Sequence, residues 1–233
     1  LNILNTKTKK ITKYFSNSKD SLSLTSSAIL SICVDKNGLV WVGTDKGLNV
    51  FNPKTQKFRR FIHNPLNPAS ISHDEIQTIF EDEKGNMWIG TREGGLNLYN
   101  KESGTFKSYK SNTLNPNSLS GNTIYAISSE NGKLLIGTTS GLDILEVQTV
   151  LVKQESQQLT DKYSLNNNSI RSIWVDNNGI TWIGTYWGGI NKLDKNLAFF
   201  HSYTSNGYDP GSLSNSVVTA FAENADGNMW VAT

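Results

Sequence analysis

One short phrase recurs five times along this chain. It reads Trp41-Val42-Gly43-Thr44, Trp88-Ile89-Gly90-Thr91, Leu135-Ile136-Gly137-Thr138, Trp182-Ile183-Gly184-Thr185 and Trp230-Val231-Ala232-Thr233. The first residues of successive copies are 47, 47, 47 and 48 positions apart. A fixed period in this range marks a repeat architecture, in which each unit buries its apolar face only against its neighbours. Trp41, Trp88, Trp182 and Trp230, with Gly43, Gly90, Gly137 and Gly184, are therefore read first as parts of the repeat.

One unit resolves into four strands. Residues 28–34 are an apolar, β-branched run and predict a first strand. Asp35-Lys36-Asn37-Gly38 is a turn, and Asn-Gly is a strong hairpin signal because both residues tolerate positive φ. Residues 39–44 predict the second strand, 48–51 the third and 57–62 the fourth, the last two separated by Asn52-Pro53-Lys54-Thr55. Nothing shows a 3.6-residue apolar period, so essentially no helix is expected. The second strand is apolar on both faces, as in Leu39-Val40-Trp41-Val42, and such a strand is covered on both faces.

Four-stranded antiparallel meanders covered on both sides and repeated at about 47 residues predict an all-β fold, the β-propeller. The glycine of each phrase suits a place where a neighbouring sheet comes close. Blades are expected over 27–61, 74–109, 122–152 and 168–203. Residues 1–15 supply the second half of a blade and 216–233 the first half of one, so 1–233 reads as a single propeller region of five blade-equivalents. Because both ends fall in mid-repeat, the expectation is an arc of a larger ring within a longer polypeptide. The third unit departs most: Leu135 replaces Trp, its first turn is one residue shorter, and its fourth strand lacks the aromatic found at Phe58, Phe106 and Phe199.

Composition narrows the function. A formal charge of +2 with scattered Lys and Arg argues against nucleic acid, and the cluster Lys7-Thr8-Lys9-Lys10 reads as a solvated strand edge. The single Cys33 excludes an internal disulfide and reads as a small buried hydrophobe. No run of 18 apolar residues offers a membrane segment. His63, His73 and His201 have no ligand spacing on one element, so neither a metal nor a cofactor is expected. No P-loop, dinucleotide or nucleophile-elbow motif occurs.

The consensus Ser/Asn-x-Ile-x-x-Ile-x-x-Asp-x-x-Gly-x-x-Trp-Ile-Gly-Thr-x-x-Gly-Gly-Leu-Asn resembles the two-component regulator propeller repeat. The linking segments, such as Asn115-Pro116-Asn117-Ser118-Leu119-Ser120 and Asp209-Pro210-Gly211-Ser212-Leu213-Ser214, match as well. That resemblance implies the periplasmic sensor region of a hybrid histidine kinase of Bacteroidetes, recognising an oligosaccharide and without catalytic residues. It also implies seven-bladed propellers, an immunoglobulin-like domain and a homodimer in the parent chain. A structural or dimerising propeller, with the ligand site elsewhere, is the alternative. A propeller lyase or hydrolase is a weaker one. The turn-to-Trp phrase looks like the Asp-box of sialidases with a longer Asp-to-Gly spacing, but only Arg59, Arg60, Arg92 and Arg171 are available where a sialidase needs clustered Arg.

Candidate ligand residues come from one rim. In a meander the turn between second and third strands shares a face with the inter-blade loops. That face gathers Asp45, Lys46, His73, Arg92, Glu93, Tyr163, Tyr186, Trp187 and Tyr208. Trp187 and Tyr186 stand where other units carry Asp45-Lys46 or Arg92-Glu93. An aromatic pair that breaks the repeat in an exposed turn suits stacking on a sugar face, or a dry contact with a neighbouring loop or partner. Arg92 suits a uronate or sulfate, its alternative being an ion pair with Glu93 or solvation.

Overall fold

The computed structural model describes residues 1–161, 163–193 and 200–233; Phe199 lies outside them. The chain divides into two compact units, Leu1–Ser108 and Tyr109–Thr233. The first holds a two-stranded sheet, β1 (Asn2–Leu4) and β2 (Ile11–Lys13), then two four-stranded sheets. These are β3 (Ile29–Val34), β4 (Val40–Thr44), β5 (Gly47–Asn52), β6 (Lys57–Phe61), and β7 (Ile76–Glu81), β8 (Met87–Thr91), β9 (Leu96–Asn100), β10 (Thr105–Tyr109). The second holds β11 (Ile124–Glu130), β12 (Lys133–Thr138), β13 (Leu142–Glu146), β14 (Leu151–Glu155), and β15 (Ile170–Val175), β16 (Thr181–Thr185), β17 (Gly189–Leu193), β18 (Phe200–Tyr203). A two-stranded sheet, β19 (Ala220–Glu223) and β20 (Met229–Ala232), closes the series. Each sheet is a sequential antiparallel meander, and no helix occurs among the described residues.

Within each unit the first strand of a blade lies against the first and second strands of the blade before it, as β7 does against β3 and β4, and β15 against β11 and β12. This covers the second strands on both faces, and β8 is buried throughout. Outer strands such as β6 and β14 bury one face only. The close approach is specific. A methyl on Gly43 would meet Ile76 Cγ2 at 2.7 Å, one on Gly137 would meet Ile170 Cγ2 at 2.6 Å, and one on Gly184 would meet Val218 Cγ1 at 2.5 Å. The β-branched side chain of one blade thus occupies the space a Cβ would need in the blade before it.

The first turn explains why Asp and Trp recur six residues apart. Asp35 Oδ1 accepts the Asn37 and Leu39 backbone N–H groups, and its Oδ2 accepts the Trp41 indole N–H at 2.9 Å. Asp82 with Trp88 and Asp176 with Trp182 repeat the bond at 2.9 Å each. Burial acts to raise the Asp82 pKa, yet the bonds from Trp88, Asn86 and Lys84 outweigh it and hold the carboxyl below its ordinary value. Only the glycine of these turns takes positive φ (Gly38, Gly85 and Gly179), contrary to the two-residue Asn-Gly expectation. The shorter third turn does fit it: Asn131 and Gly132 both have positive φ, bridging the pair Glu130–Lys133. There the Trp is replaced by Leu135 and no aspartate stands six residues before it.

The linking loops are also pinned by side chains. Ser70 Oγ donates to Asn64 O and accepts the Asn64 N–H, and the same exchange joins Ser118 with Asn112, Ser164 with Gln158, and Ser212 with Asn206. Lys7 to Lys10 form the β1–β2 turn, not a strand edge, because the two strands end at Leu4 and restart at Ile11. Cys33 is half-buried against the cluster around Trp41 and Ile76, and burial raises its thiol pKa.

A buried polar residue on each third strand ties blade to loop. Asn49 Oδ1 accepts the Thr25 N–H and its amide donates to Thr25 Oγ1 and Val42 O. Asn97 does the same with Ser72 and Ile89 O. The third blade carries Asp143 at this place. Its Oδ2 accepts the Ser120 N–H at 2.8 Å, while its buried Oδ1 has no hydrogen-bond partner among the described residues. Burial, the largest cause, raises its pKa from 3.8 to about 7, against the opposing bonds from Ser120.

Two predictions follow from this packing. Gly137→Ala forces a methyl against Ile170, and urea unfolding should show a loss of about 1–3 kcal/mol with an unchanged m-value. Asp143 is favoured protonated in the fold. Its contribution is therefore complete below its unfolded value of 3.8, fades as pH rises toward about 7 and is absent above. Asp143→Asn restores the donor found in the other blades. It should flatten the pH dependence of Tm between pH 4 and 7 (roughly 2–4 kcal/mol in the parent chain) and stabilise the protein at pH 8; parallel curves would show that Asp143 does not carry the effect.

Candidate functional site

A β-bulge sits near the start of the first strand of each four-stranded sheet. Ile76 and Thr78 pair with the adjacent residues Thr91 and Gly90, leaving Gln77 extra, and in the same way Leu30, Tyr125 and Arg171 are extra on β3, β11 and β15. A bulge re-aims the side chain it carries. In β7 and β15 the preceding residue, Ile76 or Ile170, is the one held against the glycine of the previous blade. The bulge residue is thus released from packing, beside the turn between second and third strands.

In the second unit this produces a cation among aromatics. Arg171 Cζ lies 3.8 Å from the Tyr125 ring centroid and 4.6 Å from that of Tyr186. Tyr186 packs edge-on to Trp187, centroids 5.1 Å apart at 71°. Arg171 Nε is buried and has no hydrogen-bond partner among the described residues. Among the described residues no carboxylate lies within ion-pair distance of Arg171, and its charge faces the quadrupoles of the two rings. Trp187 is 66% exposed and holds φ at 77°. A bulky residue in the left-handed region is strained, and such strain persists where the surroundings over-determine it. Those surroundings are visible: Tyr186 N–H donates to Ser169 O at 2.8 Å, Gly189 N–H to Ser216 O at 2.7 Å, and Asn166 Nδ2 to Gly188 O.

The equivalent rim in the first unit is charge-paired. Arg92 meets Glu75 at 3.3 Å, and Gln77 Nε2 donates to the same Glu75 oxygen at 2.8 Å. Glu93 stands where Trp187 does, with φ 63°. His73 Nδ1 accepts the Glu75 N–H at 3.1 Å. Asp45 is exposed on the β4–β5 turn, whose Gly47 N–H donates to Asp74 O at 2.7 Å. Of the residues picked from sequence, Tyr186 and Trp187 come together with Arg171, and His73 and Arg92 with Glu75. Tyr163 bonds through its carbonyl to the outer strand at Phe200, and Tyr208 is 99% exposed on the following loop. Tyr125, Arg171, Glu75 and Gln77 were missed. Their signal was available for the bulge residues, which vary (Leu30, Gln77, Tyr125, Arg171) inside an otherwise repeating strand. Among the described residues no group of His, Cys, Asp and Glu could hold a metal, and no helix is long and apolar enough to cross a membrane.

Repeated four-stranded meander blades that cover one another within each unit define a β-propeller. Residues 13–226 match the Pep3/Vps18/deep orange β-propeller domain, and the chain belongs to that family. No curated protein matched the sequence. Among solved structures, the extracellular domain of BT4673 from B. thetaiotaomicron is described once as a one-component and once as a hybrid two-component system. It superposes with TM-scores of 0.74 and 0.71 at 19% and 18% identity, over 95% and 99% of this chain. The extracellular domain of BT3049 from the same organism, described as a hybrid two-component system, gives 0.55 at 22% over 95%. Virginiamycin B lyase from Staphylococcus aureus gives 0.64 at 14%, over 91% of this chain and 65% of its own. At these identities the likeness establishes the fold. This chain spans 28% and 38% of the two BT4673 chains and 41% of the BT3049 chain.

The strain at Trp187 separates two roles. If the indole holds the turn together, Trp187→Gly lowers Tm by several degrees. If it is displayed for a ligand, the change removes strain of about 1 kcal/mol and Tm stays level or rises. The second outcome is expected in a thermal scan, with Glu93→Gly as the matching control.

Proposed function

We propose that this chain is a non-catalytic, ligand-sensing propeller from the extracytoplasmic, periplasmic part of a two-component sensor, with an oligosaccharide as its ligand. The observation that carries the reading is the exposed Tyr186–Trp187 pair, held in a strained turn over Arg171. A rigid β scaffold presenting an aromatic platform on a loop rim suits a flat apolar sugar face. The repeat resemblance and the fold shared with extracellular domains of Bacteroides signalling systems support the same reading. The rest of the parent chain, an immunoglobulin-like domain and a second copy included, would be its partners. Binding would act by differential affinity for two arrangements of that assembly. A propeller lyase, in contrast, would consume its glycan.

Thermal unfolding against plant, host and microbial oligosaccharides tests this. A ligand at about 100 times its Kd stabilises by roughly 2.7 kcal/mol, a shift of several degrees. A selective shift that disappears in Trp187→Ala is expected. No shift with any saccharide, or one untouched by the substitution, would return the rim to a structural or dimerising role.

A further inference from the structure

The rim of the second unit has a feature that sugar stacking alone does not require. A guanidinium is placed against two tyrosine rings, at 3.8 and 4.6 Å, and among the described residues no carboxylate pairs with it. In the first unit the corresponding rim uses its arginine in an ion pair, Arg92 with Glu75, steadied by Gln77. Gln77 holds the bulge position of that rim and Arg171 holds it here, so the repeat itself does not dictate a cation at this place. Rings covering a guanidinium leave its edge N–H groups as the remaining donors, and that edge matches two oxygens of a carboxylate or sulfate. Tyr186 also links the cation to the exposed indole: it touches Arg171 on one side and Trp187 on the other.

We propose that Arg171 is the anion-recognising residue of a saccharide subsite, and that the ligand of this rim is an acidic sugar whose carboxylate or sulfate meets Arg171 while its ring stacks on Trp187. This rests on the glycan-sensing reading and deepens it. Tyr125 and Tyr186 are positioning residues that hold the guanidinium and lower its access to water, which strengthens its attraction to an anion.

Titration calorimetry on the protein, with tetragalacturonate, uncharged 1,4-linked galactotetraose, a sulfated chondroitin disaccharide and sodium sulfate, decides it. Tetragalacturonate or the sulfated disaccharide should bind at least tenfold more tightly than galactotetraose, and the preferred one identifies the anion. Arg171→Gln should abolish that preference, and Arg171→Lys, which keeps the charge but not the planar fork, should retain only part of it. Should Arg171→Gln fail to fold, the wild-type comparison and the lysine variant still decide. Galactotetraose bound as tightly as the acidic sugars, with Arg171→Gln without effect, overturns the acidic subsite and leaves glycan sensing standing. Sulfate alone bound as tightly as any saccharide overturns the sugar component. No binding of any saccharide removes both readings.

Discussion

The contact between a glycine on one blade's second strand and a β-branched residue on the next blade's first strand organises each unit. Gly43 receives Ile76, Gly137 receives Ile170 and Gly184 receives Val218. The contact sets how near two sheets come, and so how much apolar surface is excluded from water between them. Trp41 and Tyr99 then meet across the same seam at 5.1 Å, with Ile76, Ile89 and Phe106 in one buried cluster. It also has a directional consequence. Once Ile76 or Ile170 is held, the strand bulges at the next residue, and Gln77 or Arg171 is turned away from the packing. The rim can therefore change its chemistry without disturbing the seam.

The third blade shows which parts of the repeat are coupled. Aspartate and tryptophan vanish there together, and the turn contracts to Asn131-Gly132. A buried indole N–H without its acceptor, or a turn aspartate without its donor, would be left unsatisfied, and the cost of one missing partner exceeds the gain from the pair. Leu135 fills the space with no polar demand and stays buried. Asp143 follows a different logic. It keeps the loop bond of its asparagine counterparts but leaves one oxygen bare, which makes the proton itself part of the fold near neutral pH.

The two rims differ in how their charges are met. Glu75, Gln77 and Arg92 form a satisfied polar network, while Tyr125, Arg171, Tyr186 and Trp187 form an unsatisfied, partly apolar one. Both turns force a side chain into positive φ, at Glu93 and at Trp187, because the longer turn is defined by backbone bonds to the neighbouring loop. The strain is a property of the turn length; the choice of an indole to occupy it is separate.

The 47-residue period, the four strands per unit, their antiparallel order and the close approach at the glycines were readable in the amino-acid sequence. Each is encoded within a few neighbouring residues, by apolar pattern, turn chemistry and a recurring small residue. Tyr186 and Trp187 were also visible, as breaks in the repeat. The partners of those residues were not. Tyr125 and Arg171 stand in different blades and meet only after two sheets pack and both first strands bulge, a geometry that no local pattern specifies. Likewise Arg92 meets Glu75, seventeen positions earlier, because the turn lies along the loop entering its own blade. The sequence by itself determined the repeat and the residues on display; the tertiary structure decided which charges are paired, since pairing depends on distances between strands far apart in the chain.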